Sequence, residues 1–162
     1  MSEPKLVHKK SFQVVGYTFN ANLQEIEEKQ LSKKTTERLK ANADNIQNKI
    51  GNHIYLIQLY PMKEHFNANT DPFTQIIGYE VSEPSDLPPD AIIHHVPEND
   101  YVTYTHHGLE SELYKSYDYL YGKWLRESNY HTLGYDLELW DERYKPEDTE
   151  NEIEMYVAVK HT

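Results

Sequence analysis

Cysteine is absent from the 162-residue chain, so disulfides, thiolate metal sites and a thiol nucleophile are all excluded. That absence suits a reducing compartment, and a cytoplasmic location is expected. Long apolar runs are missing as well. Nothing approaches the 18 or so residues of a membrane-spanning helix, and the opening MSEPKLVHKKSF lacks the apolar stretch of a secretory signal. A membrane partner is not expected. No GxGxxG, GxxxxGK or GxSxG occurs, which removes the common phosphate-cradling loops and the serine-hydrolase elbow. Positive charge is in deficit: 27 acidic residues against 16 basic ones give a net charge of −11. Such a balance repels phosphate backbones and anionic lipid, so direct nucleic-acid binding is not expected and neutral or cationic partners are favoured.

Tyrosine is abundant, with 14 copies. Its apolar body and polar tip suit both half-buried sheets and ligand pockets. Nine histidines include the pairs His94-His95 and His106-His107. Neighbours on a strand point to opposite faces, so neither pair can chelate one ion, and no HExxH spacing exists. No metal and no other cofactor is expected.

The chain reads as one strand-helix-strand-strand order written twice within a single domain, in halves of about 1–82 and 91–162. In the first half a strand at 11–19 (SFQVVGYTF) precedes a helical stretch over 23–50, with Leu39, Ala43, Ile46 and Ile50 at offsets 0, 4, 7 and 11. Gly51 and Asn52 stop it, and strands follow at 53–61 (HIYLIQLYP) and 73–82 (FTQIIGYEVS). The proline-rich loop EPSDLPPD (83–90) joins the halves. The second half opens with a hairpin-like region at 91–108. A helix then carries Leu113, Tyr117, Leu120 and Trp124 at the same four offsets and ends near Ser128. Strands at 135–143 and 153–160 close the chain. IQLYP aligns weakly with LELWD, GYEV with YVAV, and GYTF with TYTH, which suggests an internal duplication. The expected fold class is α+β, two pseudo-symmetric β-α-β-β units sharing one antiparallel sheet.

Helices cover one face of such a sheet, so alternation in each strand separates a helix-facing set from the other. Ile153, Met155, Val157 and Val159 are placed in the first set, as are Leu137, Leu139, Ile57, Leu59, Ile77, Tyr79 and Val81. The opposite face then collects Tyr60, Ile76, Glu138, Trp140, Glu154 and Tyr156. Rings mixed with carboxylates have the character of a ligand pocket. A dimer interface with the glutamates at its rim is the other reading the pattern allows, and Glu154 can equally be a solvated edge residue. Among aromatic rings, Glu154 would lose hydration and call for a proton, a cation or donors, and a nearby Glu138 would raise the pKa further. A lipophilic cation meets that need, its stacking on Trp140 and Tyr156 adding roughly 0.5–2 kcal/mol. The same carboxylate can also serve as a general base toward water.

Tyr101, Tyr104, His106 and Gly108 in YVTYTHHG, the helix YDYLYGKWL (117–125), the loop KPEDTEN and the strand EMYVAV (154–159) form a set of motifs. In them the chain resembles the GyrI-like small-molecule-binding family, also met as the effector-binding domain of Rob-type and BmrR-type regulators. The resemblance spans nearly the whole chain and is most specific over 96–160. Ala158 departs from the family pattern, where proline is usual. The resemblance implies an SHS2-like duplication whose sheet forms a central groove, with helices on the opposite face. It also implies that Glu154 is the carboxylate that meets ligands. No helix-turn-helix is seen, so a stand-alone member is expected. Its expected function is binding amphipathic, possibly cationic aromatic compounds for sensing or sequestration. The alternative is hydrolysis of reactive cyclopropane-type electrophiles with Glu154 as base. Gyrase-inhibitory relatives leave a protein partner open, and the sequence does not set the oligomeric state.

Overall fold

The computed structural model describes residues 3–162. The chain runs β1 (Lys5–Lys9), β2 (Phe12–Ala21), α1 (Leu23–Lys29), α2 (Leu31–Ala41), β3 (Lys49–Leu59), β4 (Phe73–Val81), β5 (Ile92–Val96) and β6 (Asn99–His107). It continues through α3 (Leu113–Tyr119), a π-helical turn (Leu120–Trp124), α4 (Leu125–Glu127), β7 (Tyr130–Trp140) and β8 (Glu152–His161). All eight strands form one antiparallel sheet in the order β1-β6-β8-β7-β3-β4-β2-β5, which gives the expected α+β class. The two halves meet where β3 pairs with β7, Ile57 lying opposite Leu137. These are the residues that the IQLYP and LELWD match treats as equivalent, so the local two-fold passes between them.

The sheet cannot be flat. β1 and β5 are its two end strands, yet only residues 10–11 separate β1 from β2, and only residues 97–98 separate β5 from β6. Such a link spans roughly 10 Å, whereas eight strands laid side by side span about 33 Å. The ends must therefore approach each other. One register continues across both breaks, with Lys9 opposite Asn99 and Phe12 opposite Val96, so β1–β2 and β5–β6 act as two long, bent, paired strands. The hairpin expected at 91–108 does not form. Pro97 lacks a donor and sits at the bend, and the strands on either side of it pair elsewhere.

The helix expected over 23–50 is also divided. Asn22 caps α1, accepting from the Glu25 amide at 2.8 Å while Glu25 reaches back to the Asn22 amide. Gln30, at φ 54°, ends α1 and begins α2 in left-handed backbone. Asn42, Asn45 and Asn48 then favour turns, the last at φ 65°, and β3 starts at Lys49. Leu39 and Ile46 are buried as the stripe requires, but Ile50 lies on a strand and is 49% exposed. The second helical segment matches its expected span, ending at Ser128 with Leu120 fully buried.

Both faces of the sheet are apolar. Val15, Tyr17, Ile77, Tyr79, Val81, Ile153, Met155, Val157 and Val159 pack with Leu39 and Leu120 on the helix side. Val14, Tyr55, Ile57, Ile76, Leu137, Tyr156 and Ala158 form a second cluster on the reverse side. The face assignments for β4 and β8 therefore hold, whereas those for β3 and β7 are reversed. Leu56 and Trp140 belong to the helix side, and Ile57, Leu59, Leu137 and Leu139 to the reverse side. The physical reason is the second core: with the ends drawn together, the reverse face also excludes water, and apolarity no longer marks the helix side.

The loop over 141–151 is fastened by Asn151, which is fully buried. Its side chain accepts from the Lys145 amide at 2.6 Å and donates to the Gly108 carbonyl at 2.8 Å. Asn151→Ala is expected to lower stability by about 1–3 kcal/mol, because a buried amide and carbonyl lose their partners. Chemical denaturation measures it, and an unchanged midpoint would show that the loop holds without this link.

Candidate functional site

An open cleft of about 2380 Å³ lies between α1–α2 on one side and α3 on the other, floored by β3, β4 and β7. It opens on the same face as the helices, between them, which corrects the expectation of a groove opposite the helices. Gln58, Gln75, Tyr60, Tyr117, Tyr121, Glu138, Trp140 and Tyr144 line its inner part.

The single face expected for the site residues splits in two. Glu138, Trp140 and Tyr60 line the cleft. Tyr156 and Ile76 are buried in the reverse-side cluster. Glu154 is opposite Leu139 on β8, again on the reverse side. Its side chain is 28% exposed and ion-paired with the Arg143 guanidinium at 3.2 Å. Glu138 pairs with Met155 in the ladder, so it and Glu154 point to opposite faces. The Tyr156 ring carries the Lys9 ammonium at 4.6 Å, a contact internal to the protein.

The floor of the cleft is a connected polar network. Asp136 and Glu138 alternate with Leu137 along β7, so both carboxyls point to the helix side. Asp136 is 1% exposed and Glu138 2%. Asp136 accepts from Gln58 Nε2 at 2.8 Å, Tyr60 Oη at 2.8 Å and Tyr121 Oη at 2.6 Å. Glu138 accepts a short bond from Tyr117 Oη and another from Trp140 Nε1 at 3.0 Å. Gln58 also donates to Tyr117 Oη, and its own carbonyl accepts from Gln75, which in turn accepts from Ser32 on α2. The network thus runs from one helical layer to the other across the local two-fold.

Burial dominates the protonation of this group. It pushes the Asp136 carboxyl up to about 6, against the opposing pull of its three donors. It pushes Glu138 up to about 8, where only two donors oppose it and the nearby Glu110 and Asp136 add to the rise. The two carboxyls are thereby set apart, Glu138 holding its proton to higher pH than Asp136. Burial, then the adjacent carboxylates, raise the phenols of Tyr60, Tyr117 and Tyr121, so all three stay donors. No Lys or Arg pairs with Asp136 or Glu138 among the described residues.

Asp136, Gln58, Tyr117 and Tyr121 were not among the site residues expected from the sequence. The signal was DLELW itself, in which Asp136, Glu138 and Trp140 share one side of a strand. His106, part of the motif behind the resemblance, has a structural role. Its ring bridges Ser116 Oγ at 2.7 Å and the Leu109 carbonyl at 2.9 Å, tying β6 to the start of α3. Among the described residues no group of three potential metal ligands is gathered, and no helix is long and apolar enough to cross a membrane.

Fold and cleft together define an α+β ligand-binding module built on one curled antiparallel sheet. The chain belongs to the family of the GyrI-like small molecule binding domain, whose model matches residues 2–160. The transcriptional regulator BrlR of Pseudomonas aeruginosa is 27% identical over 89 residues, which is 54% of this chain and 33% of BrlR. The match thus spans about a third of that relative's length. The EcmrR C-terminal domain is similar with a TM-score of 0.72 at 15% identity, covering 99% of this chain and 98% of that one. SAV2435 bound to tetraphenylphosphonium is similar at 0.71 and 11% identity, over 98% and 94%. At such identities the likeness is one of fold.

Proposed function

We propose that the cleft binds amphipathic aromatic cations, with Glu138 as the counter-charge and Trp140 and the cleft tyrosines as stacking surfaces, for sensing or sequestration. The observation that carries this reading is a carboxyl at the bottom of an aromatic cleft with no basic side chain among the described residues to neutralise it. Such a group is held protonated until a cation arrives, and a cation desolvated against it gains both charge pairing and ring contact. A fold neighbour holding a phosphonium cation supports the reading.

The sign of the pH dependence follows. Ligand-free, the folded state keeps the Glu138 proton that the unfolded chain releases near its ordinary range. This contribution to stability is full at acid pH and is lost as pH rises toward about 8. A bound cation favours the ionised form, so its affinity is expected to rise about tenfold per pH unit toward pH 8 and to level off above. Titration calorimetry of tetraphenylphosphonium at pH 7, in two buffers of different ionisation enthalpy, should show about one proton released per ligand. An affinity independent of pH, with no proton release, would overturn the role given to Glu138.

The hydrolytic reading gains one observation, the unequal protonation of two carboxyls two positions apart. The arrangement works against it at neutral pH. Asp136, the more readily ionised member, is sealed beneath Gln58, Tyr60 and Tyr121, while Glu138, the member that lines the cleft, holds its proton to higher pH. If Glu138 is nevertheless a base, cleavage of a strained electrophile accelerates as pH rises through about 8 and is abolished in Glu138→Gln.

A further inference from the structure

Trp140 and Tyr144 stack face to face, with centroids 4.6 Å apart and an interplanar angle of 5°. Each ring's polar tip holds a carboxyl: Trp140 Nε1 donates to Glu138, and Tyr144 Oη donates to Glu110 Oε2 at 2.6 Å. Both carboxyls and both rings line the cleft. Glu110 is held in place by its own amide, which donates to the Pro146 carbonyl at 2.9 Å. Burial raises its carboxyl too, with Tyr144 and then His106 opposing. Neither Glu110 nor Glu138 has a Lys or Arg partner among the described residues. The cleft wall is also uneven in charge. Residues from 109 onward supply Glu110, Asp118, Glu138 and Glu147 and no base, while Lys33, Lys40 and Lys63 line the other side among Glu27, Glu37 and Glu64.

We infer that the cleft selects ligands with two cationic centres on a flat aromatic frame, Glu138 meeting one centre and Glu110 the other across the Trp140–Tyr144 stack. This rests on the cation-binding reading above and extends it. A single positive charge satisfies Glu138 and leaves Glu110 without a counter-ion. A second charge, spaced by rings that lie against the stack, neutralises both carboxyls in one event. The second contact is intramolecular once the first has formed, so it pays no further translational entropy.

The test compares benzyl viologen, a bipyridinium dication, with its singly benzylated monocation by titration calorimetry at about pH 9, above the pH at which Glu138 gives up its proton. The wild-type protein is expected to bind the dication about tenfold more tightly. Glu110→Gln, whose amide oxygen still accepts from Tyr144 and so preserves the fold, is expected to bring that ratio to about one. Glu138→Gln should weaken both ligands. A wild-type ratio near one, or a ratio unchanged in Glu110→Gln, overturns the inference while leaving cation binding intact if Glu138→Gln still weakens the monocation. Binding of neither cation, or binding of both that Glu138→Gln leaves untouched, overturns the cation reading and this inference with it.

Discussion

Replacing Glu138 by glutamine is expected to weaken binding of a lipophilic cation by roughly 30- to 150-fold, about 2–3 kcal/mol, when measured above pH 8. The substitution is nearly isosteric and keeps an acceptor for Trp140 Nε1 or Tyr117 Oη, so the floor of the cleft stays packed. What is lost is the negative charge that a desolvated cation would meet. Near pH 7 the loss is smaller, because the wild-type carboxyl must first release its proton. A neutral aromatic ligand of the same shape should bind wild type and variant alike. Equal loss for cationic and neutral ligands would assign Glu138 to the shape of the cleft, and no loss for either would remove it from the site.

Asp136→Leu is expected to cost about 3–5 kcal/mol of stability, or a fall in Tm of roughly 10 °C for a chain of this size. Two effects compete. Removing a buried charge relieves its desolvation penalty, and replacing whole buried ion pairs by apolar residues can be stabilising. Here only the acceptor is removed. Gln58 Nε2, Tyr60 Oη and Tyr121 Oη all lose an acceptor that is itself only 1% exposed, and three donors left without it outweigh the desolvation saved. Asp136→Asn keeps one acceptor oxygen and should lose much less. It should also remove the part of the pH dependence of stability that Asp136 contributes between its ordinary range and about 6. An Asp136→Leu protein that melts at or above the wild-type temperature would mean that desolvation dominates and that the network does not hold the floor together.

Much of the architecture was legible in the sequence. Alternation placed Ile153, Met155, Val157 and Val159 together beneath the helices, and the 0, 4, 7, 11 stripe found Leu120 in the core. The helix break at Gln30 was not legible, since glutamine is a good helix former, yet it sits in left-handed backbone as the single residue between α1 and α2. The hairpin at 91–108 was misread because strand propensity says nothing about pairing. Pro97 marked a bend that sends β5 and β6 to different neighbours. Glu138, Trp140 and Tyr60, which line the cleft, were picked out together from the sequence, but their side of the sheet was not legible. Glu154 had every sequence feature of a pocket carboxylate, yet the structure gives it Arg143.

The sequence by itself determined the strand-helix-strand-strand order of each half, which residues share a strand face, and the exclusion of disulfides and thiolate chemistry that follows from having no cysteine. These are local properties, set by periodicity and side-chain chemistry within a dozen residues. The tertiary structure alone decided which apolar face the helices cover, because curling the sheet buries both faces. It also decided which carboxyls stay desolvated, because the donors that hold Asp136 come from 15, 76 and 78 positions away along the chain. Protonation depends on burial and partners in space, and neither is written in the order of residues along one strand.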